Sequence, residues 1–285
     1  PYVSSINTST ARLDTPTGPD GLTPVQLRQL PDQTGFTSAS TTRNGCIEER
    51  DTVAAATFTP IPSGALDLDF LTLGTNNASK WRPTMFDLAW TRSGPAEETD
   101  TNNGRNTRPS RVCPTGRVRN LNTMTLAELD AYLPTLQANG NTYHDFGMLW
   151  GLRLIAPNGI FASRNVTGAN GGQISRHIIF MTDGILVASQ TNYGLYGIEQ
   201  ISQRVAGGSS SPAQPTRHAR RFQALCDAAR AQGISVWVIA FGTSITSNLT
   251  ACADPGRAYQ ASNSAQLTAR FQQIANDIAD LRLTQ

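Results

Sequence analysis

Two apolar runs dominate the hydrophobic pattern of this chain. Ile178, Ile179, Phe180 and Met181 form one and end in Thr182-Asp183-Gly184; Ile234-Ser-Val-Trp-Val-Ile-Ala-Phe-Gly242 is the other. Short runs of this kind, closed by an acidic residue or a glycine, predict strands buried on both faces in the middle of a parallel sheet. Between and around them the spacing changes to the helical period. Thr125-Leu-Ala-Glu128 has the form of a capping box and predicts a helix reaching about Gln137. Phe146, Leu149, Trp150, Leu152 and Leu154 predict a second helix, over 143–155, with a broad buried face. A third, from about Pro215 to Gln232, carries Phe222, Leu225, Cys226 and Ala229 on one side and stops at Gly233. In the last, Leu267, Phe271, Ile274, Ile278 and Leu281 make a single stripe. The order helix–strand–helix–strand–helix predicts a doubly wound, mostly parallel α/β sheet with right-handed crossovers.

Residues 1–120 show no such regularity. Pro60-Ile-Pro-Ser-Gly and Asn102-Asn-Gly-Arg-Asn-Thr-Arg-Pro are turn-rich, and only short pieces such as Ala65-Leu-Asp-Leu-Asp-Phe-Leu alternate. An irregular stretch of this length needs internal fixings to be ordered. Composition agrees with a globular domain bearing long loops: 39% hydrophobic, 15% charged, with 24 glycines and 16 prolines in 285 residues. The net charge of +2 gives no case for nucleic acid or a polyanionic surface as partner. No run approaches the roughly 20 apolar residues of a membrane span.

Cys46, Cys113, Cys226 and Cys252 form no CxxC pair, and His144, His177 and His218 are not at zinc-ligand spacing. Buried free thiols in a cytosolic protein and two disulfides in an exported one are both compatible with that count. Cys46 and Cys113 lie in loop-like sequence where a lone thiol would be exposed, which favours the bridges. Cys226 pairs with Cys252 if the helix before the 234–242 strand and the loop after it are neighbours, as a parallel sheet makes them. Cys46–Cys113 would then close the irregular stretch, worth roughly 4 kcal/mol for a loop of about 67 residues.

Asp183 stands at the carboxyl end of the first predicted strand, where ligands of parallel sheets bind, and a carboxylate there suits a hard cation. A strand-end Asp that merely caps the next turn has the same appearance. Catalysis finds little support. His218 and Cys226 are about 12 Å apart along a helix, too far for a base and nucleophile, and no G-x-S-x-G, H-E-x-x-H or phosphate-loop motif occurs.

Arg176-His-Ile-Ile-Phe-Met-Thr-Asp-Gly184 resembles the fourth strand of a von Willebrand factor A (vWA) domain. Gly140-Asn-Thr-Tyr-His-Asp145 resembles the loop giving the threonine of that family's metal-ion-dependent adhesion site, and Ile234–Gly242 resembles the following strand. More narrowly, residues from about 120 to 285 resemble the C-terminal vWA region of TadG-like proteins of the bacterial Tad (Flp) pilus-assembly system. The ending, from Cys252-Ala-Asp-Pro-Gly-Arg-Ala-Tyr to Gln285, is its most specific part, and Pro1-Tyr-Val-Ser-Ser-Ile-Asn resembles the segment after the family's second strand. The resemblance implies a three-layer, Rossmann-like domain from 1–35 and 121–285 that lacks its first strand, with 36–120 as a loop-rich insertion. The strand at 177–182 would then present an unpaired apolar edge. It also implies a membrane-anchoring helix upstream of Pro1.

The same resemblance assigns Thr142 and Asp183 to a cation site on one rim of the sheet. The family's D-x-S-x-S loop is absent here, so Mg²⁺ (or Mn²⁺ or Ca²⁺) is expected in the complete parent protein and not as a tight ligand of this chain. The implied role is that of an extracytoplasmic, non-enzymatic protein-binding module of the bacterial envelope, serving adhesion or pilus biogenesis. The alternative is a structural envelope domain with a vestigial metal site. An intact D-x-S-x-S in the parent would favour the first.

Overall fold

The computed structural model describes residues 10–12, 24–26, 47–76, 78–83, 89–91, 98–100, 116, 118–119, 121, 123–137, 141–164, 171–172, 174–190, 192–208 and 212–283. Its centre is a sheet of three parallel strands, β1 (Arg176–Thr182), β2 (Ile234–Phe241) and β3 (Ala258–Ala261), in the order β3-β2-β1. Ile179 faces Trp237 across one ladder, and Val238 faces Ala258 across the other. Among the described residues six α-helices accompany it: α1 (Leu126–Tyr132), α2 (His144–Ile155), α3 (Glu199–Ser202), α4 (Gln214–Ala231), α5 (Ser247–Cys252) and α6 (Ser264–Leu283). The fold is therefore mixed α/β with a parallel sheet, compatible with a Rossmann-like architecture. Small antiparallel pairings join Thr10–Arg12 to Pro24–Gln26, Ile47–Glu48 to Arg82–Pro83 and Ala89–Thr91 to Glu98–Asp100.

The sequence explains these elements one by one. Thr125 caps α1 through a complete capping box: its hydroxyl accepts from Glu128 N at 3.2 Å and Glu128 accepts from Thr125 N at 2.7 Å. The hydrogen bonds also hold the Glu128 carboxyl below its ordinary value. Gly233 ends α4 in the left-handed region, φ 70°, which glycine adopts without penalty. β2 alternates strictly. Val236, Val238 and Ala240 join the core under α2, α4 and α5, while Trp237 and Ile239 pack with Ile274 of α6 on the opposite face. With a helix layer on each face, both sides of the pleat are apolar, and the strand reads as an unbroken run.

β1 departs from that expectation. Phe180 and Thr182 are buried, but Ile179 is 37% and Met181 50% exposed. The run is buried on one face only, because the stripe of α6 packs against β2 and β3 residues. Among the described residues no strand pairs with the outer edge of β1. β3 and α5 also lie in sequence that shows no periodic signal.

The described residues 47–76 of the irregular segment pack into the main core. Phe58, Ala65, Leu68 and Phe70 belong to the same core cluster as Met148, Leu152, Phe222 and Leu225. Among the described residues between Arg50 and Trp81 the only helical piece is a single turn, Leu66–Leu68, so they pack as irregular chain.

Cys226 and Cys252 form a disulfide between α4 and α5, with Cα atoms 5.2 Å apart and both residues fully buried. The expected Cys46–Cys113 bridge lies outside the described residues. Closing the 26-residue separation is worth about 3.5 kcal/mol in the chain-entropy picture. The Cys226→Ser, Cys252→Ser double variant should therefore lose about 3 kcal/mol in chemical denaturation. An undiminished midpoint would show that core packing alone fixes α5. Met181→Lys, on the uncovered face of β1, should leave stability within about 0.5 kcal/mol and reduce light scattering at high protein concentration.

Candidate functional site

The carboxyl ends of β1 and β2 form the rim where a parallel sheet binds ligands. β1 ends at Thr182, whose hydroxyl accepts from Gly184 N at 3.3 Å and donates to Gly184 O at 3.0 Å. This small closed turn leaves Asp183 exposed. Gly184 is not there for room or for a left-handed φ: an added Cβ would meet nothing nearer than Thr142 Oγ1, at 3.9 Å. The same contact places the Thr142 hydroxyl beside the turn that carries Asp183. Val187 N donates to Thr142 O at 2.9 Å in an isolated bridge, so the two segments are stitched by backbone. The helix cap is Tyr143, one residue after Thr142, and α2 begins at His144.

Further bonds hold this rim. Ser189 N donates to the Tyr143 hydroxyl at 2.9 Å, and Asn192 Nδ2 donates to Asn141 Oδ1 at 2.7 Å. Burial pushes the Tyr143 phenol up to about 12. His144 lies on the inner side, with Nε2 at 3.2 Å from Gly184 O and its ring edge-on to Phe180. Burial lowers its pKa.

As a cation site this donor set is small. Thr142 supplies a neutral hydroxyl and Asp183 one carboxylate, and no group of three or more His, Cys, Asp or Glu able to hold a metal occurs among the described residues. Mg²⁺ demands near-octahedral oxygen coordination, and one hydroxyl with one carboxylate does not fit a tight site.

No local pattern in the chain announces the extended polar assembly that lies inside. Glu49, fully buried, receives Arg153 through both carboxylate oxygens at 2.7 and 2.9 Å. The indoles of Trp150 and Trp81 donate to the same carboxylate at 3.1 and 3.2 Å. Arg153 also donates to Asp67 O at 2.7 Å. Arg204 pairs with Glu48 at 3.0 Å and donates to Glu49 O and Arg50 O. Arg221 of α4 binds Asp67, the Tyr196 hydroxyl, Thr52 and Asp145; burial would lower its pKa, but the Asp67 and Asp145 carboxylates outweigh burial and raise it further. The irregular segment 48–69 is thus fastened to α2, α4 and the 196–206 region through buried charge.

Asp145 and His218 are part of this assembly, 2.7 Å apart and each about 1% exposed. A carboxylate–imidazole pair can serve catalysis, but here the rings of Tyr143, Phe146 and Tyr196 surround His218 at 4.9 to 6.0 Å. Buried in this way, the pair ties α2 to α4. Burial would raise the Asp145 carboxyl; His218 and Arg221 outweigh it and hold it below its ordinary 3.8. Glu199 is the opposite case. Its Oε1 accepts from Val205 N at 2.6 Å and Ala206 N at 2.5 Å, yet burial dominates and raises it above 4.5.

No family model, characterised protein or solved structure matches this chain.

Two outcomes follow from the buried charge. Arg153→Met, which strands Glu49, should cost about 3–5 kcal/mol in denaturant unfolding. Glu199→Gln can keep the two backbone bonds while removing a charge that burial disfavours. Because the folded pKa of Glu199 is raised, its contribution is full below about 4.5 and declines as pH rises through the folded value. Glu199→Gln should accordingly be more stable than the native chain at pH 8, with the advantage fading by pH 4. Asp145 has the reverse sign: its contribution is present at neutral pH and lost as pH falls through its depressed value.

Proposed function

We propose that this chain is a vWA-type protein-binding module, of the TadG-like kind found in bacterial Tad (Flp) pilus assembly, acting outside the cytoplasm in adhesion or pilus biogenesis. The observation that carries the reading is the junction of the Thr142 loop with the turn bearing Asp183 on the carboxyl-end rim of a parallel sheet. The order of helices and strands from Leu126 to Leu283 supports it, as does the buried Cys226–Cys252 bridge, which suits an oxidising compartment. On this reading Asp183 offers an exposed carboxylate and Thr142 a hydroxyl to a shared partner surface. In a parent carrying an upstream D-x-S-x-S loop, those residues would complete a Mg²⁺ site; Thr142 and Asp183 alone are too few.

The thin donor set favours a second reading, a structural envelope domain whose metal site is vestigial. The two separate experimentally. Calorimetry on residues 1–285 should show no tight Mg²⁺ or Mn²⁺ binding. In a parent with D-x-S-x-S, Asp183→Ala should weaken cation binding and partner capture together. Equal capture in chelator and by Asp183→Ala would leave the structural reading.

A further inference from the structure

A cavity of about 280 Å³ opens on the same rim. It lies between the turn after β1 (Ile185, Leu186), the N-terminal half of α4 (Pro215, Ala219, Phe222) and the start of α5 (Thr246, Asn248). Its floor is buried: Phe222 is fully covered and His144 is 6% exposed. Ile185, Thr216 and Asn248 are exposed and form its mouth. The volume is just below the range of cofactor and drug-sized sites, which begin at about 300 Å³, so it suits a group of side-chain size.

The chemistry of the floor is set by His144. Gly184 O can only accept, so the imidazole nitrogen 3.2 Å from it, Nε2, carries the proton. The second contact of Nε2 agrees. Thr182 Oγ1 gives its own proton to Gly184 O and can only accept from the ring, 3.3 Å away. With Nε2 protonated and the ring neutral, Nδ1 presents a lone pair. Nδ1 makes no hydrogen bond among the described residues, so His144 gives the cavity an unfilled acceptor at a buried lining residue, beside walls that are apolar apart from Thr216, Thr246 and Asn248.

We propose that this cavity receives a tyrosine side chain of the protein partner, its ring against Phe222, Ala219 and Leu186 and its hydroxyl donating to His144 Nδ1. A phenol has the required form, a flat apolar body with a donor at its tip. An aliphatic side chain would leave the acceptor unpaired, and a carboxylate would oppose its lone pair. This assignment rests on reading the rim as a protein-binding surface. It adds a specificity pocket, reached from Asp183 through Gly184, Ile185 and Leu186.

The test uses p-cresol as the probe and methyl-labelled protein of residues 1–285, followed by NMR at pH 7.5. Saturable shifts of the Ile185 and Leu186 methyls are expected. 4-Methylanisole, of similar shape but without the donor, should bind roughly fivefold more weakly. His144→Phe should bring p-cresol down to the level of 4-methylanisole, and Ala219→Trp should abolish both. Because the two probes are compared on the native chain, the result does not depend on either variant folding. Absence of saturable shifts at Ile185 and Leu186 would overturn the pocket, and equal affinities would overturn the hydrogen bond to His144. Chelator should leave p-cresol binding unchanged, so failure of the cation-linked function and failure of this pocket are read separately.

Discussion

The Glu49 carboxylate is the constraint on which the rest of the structure depends. An ionised group with no exposure is costly to bury, and the cost is met only if its hydrogen-bonding capacity is filled. Four donors from three residues fill it: two from Arg153 on α2, one from Trp150 on the same helix, and one from Trp81 in the irregular segment. Neither the helix nor the segment can move without stranding the charge. The arginines carry the constraint further. The Arg50 guanidinium sits 3.9 Å over the Trp81 ring, and burial together with the charge of Arg153 lowers it to about 10, still cationic at neutral pH. Arg153 and Arg221 both reach Asp67, one through its carbonyl and one through its carboxylate. A chain with almost no regular structure between Arg50 and Trp81 is thereby given one conformation. Such an assembly is weak evidence of high stability, since packed apolar groups can do as well. It is strong evidence that the segment has a fixed place.

The parallel sheet, the helices α2, α4 and α6, the capping box at Thr125 and the Cys226–Cys252 link were legible because each has a local signature. Period, cap and stop are written within a few residues of one another. Glu49 and Arg153 are 104 residues apart, and Glu48 and Arg204 are 156. No local pattern links residues that distant, and charges in a glycine- and proline-rich stretch read as solvated. The error at β1 has a related cause. An unbroken apolar run states that both faces avoid water or tolerate exposure; it cannot state which helix covers which strand. Nor did the adjacency of His144 and Asp145 reveal that their side chains serve different sites.

That adjacency joins the interior to the rim. The first turn of α2 divides its side chains between two environments. Asp145 turns inward to His218 and Arg221, at 2.7 and 3.3 Å, within the buried charge. His144 turns to Gly184 O, and Tyr143 to Ser189, both in the polar loop after β1. Thr142, one residue before the helix cap, bonds Val187 through its carbonyl. The position of Thr142 relative to Asp183 is therefore not a property of the loop that holds it. It is fixed by how α2 enters the core, and that entry is held by Asp145 at the start of the helix and Arg153 near its end. A charge-conserving change inside, at Asp67 or Glu49, would reach the rim through the helix without touching a rim residue. If the rim binds a partner as proposed, side chains held this way lose little freedom on binding, which lowers its ordering cost. Residues 48–69, far from Thr142 in sequence, then act on the rim by fixing the helix that presents it.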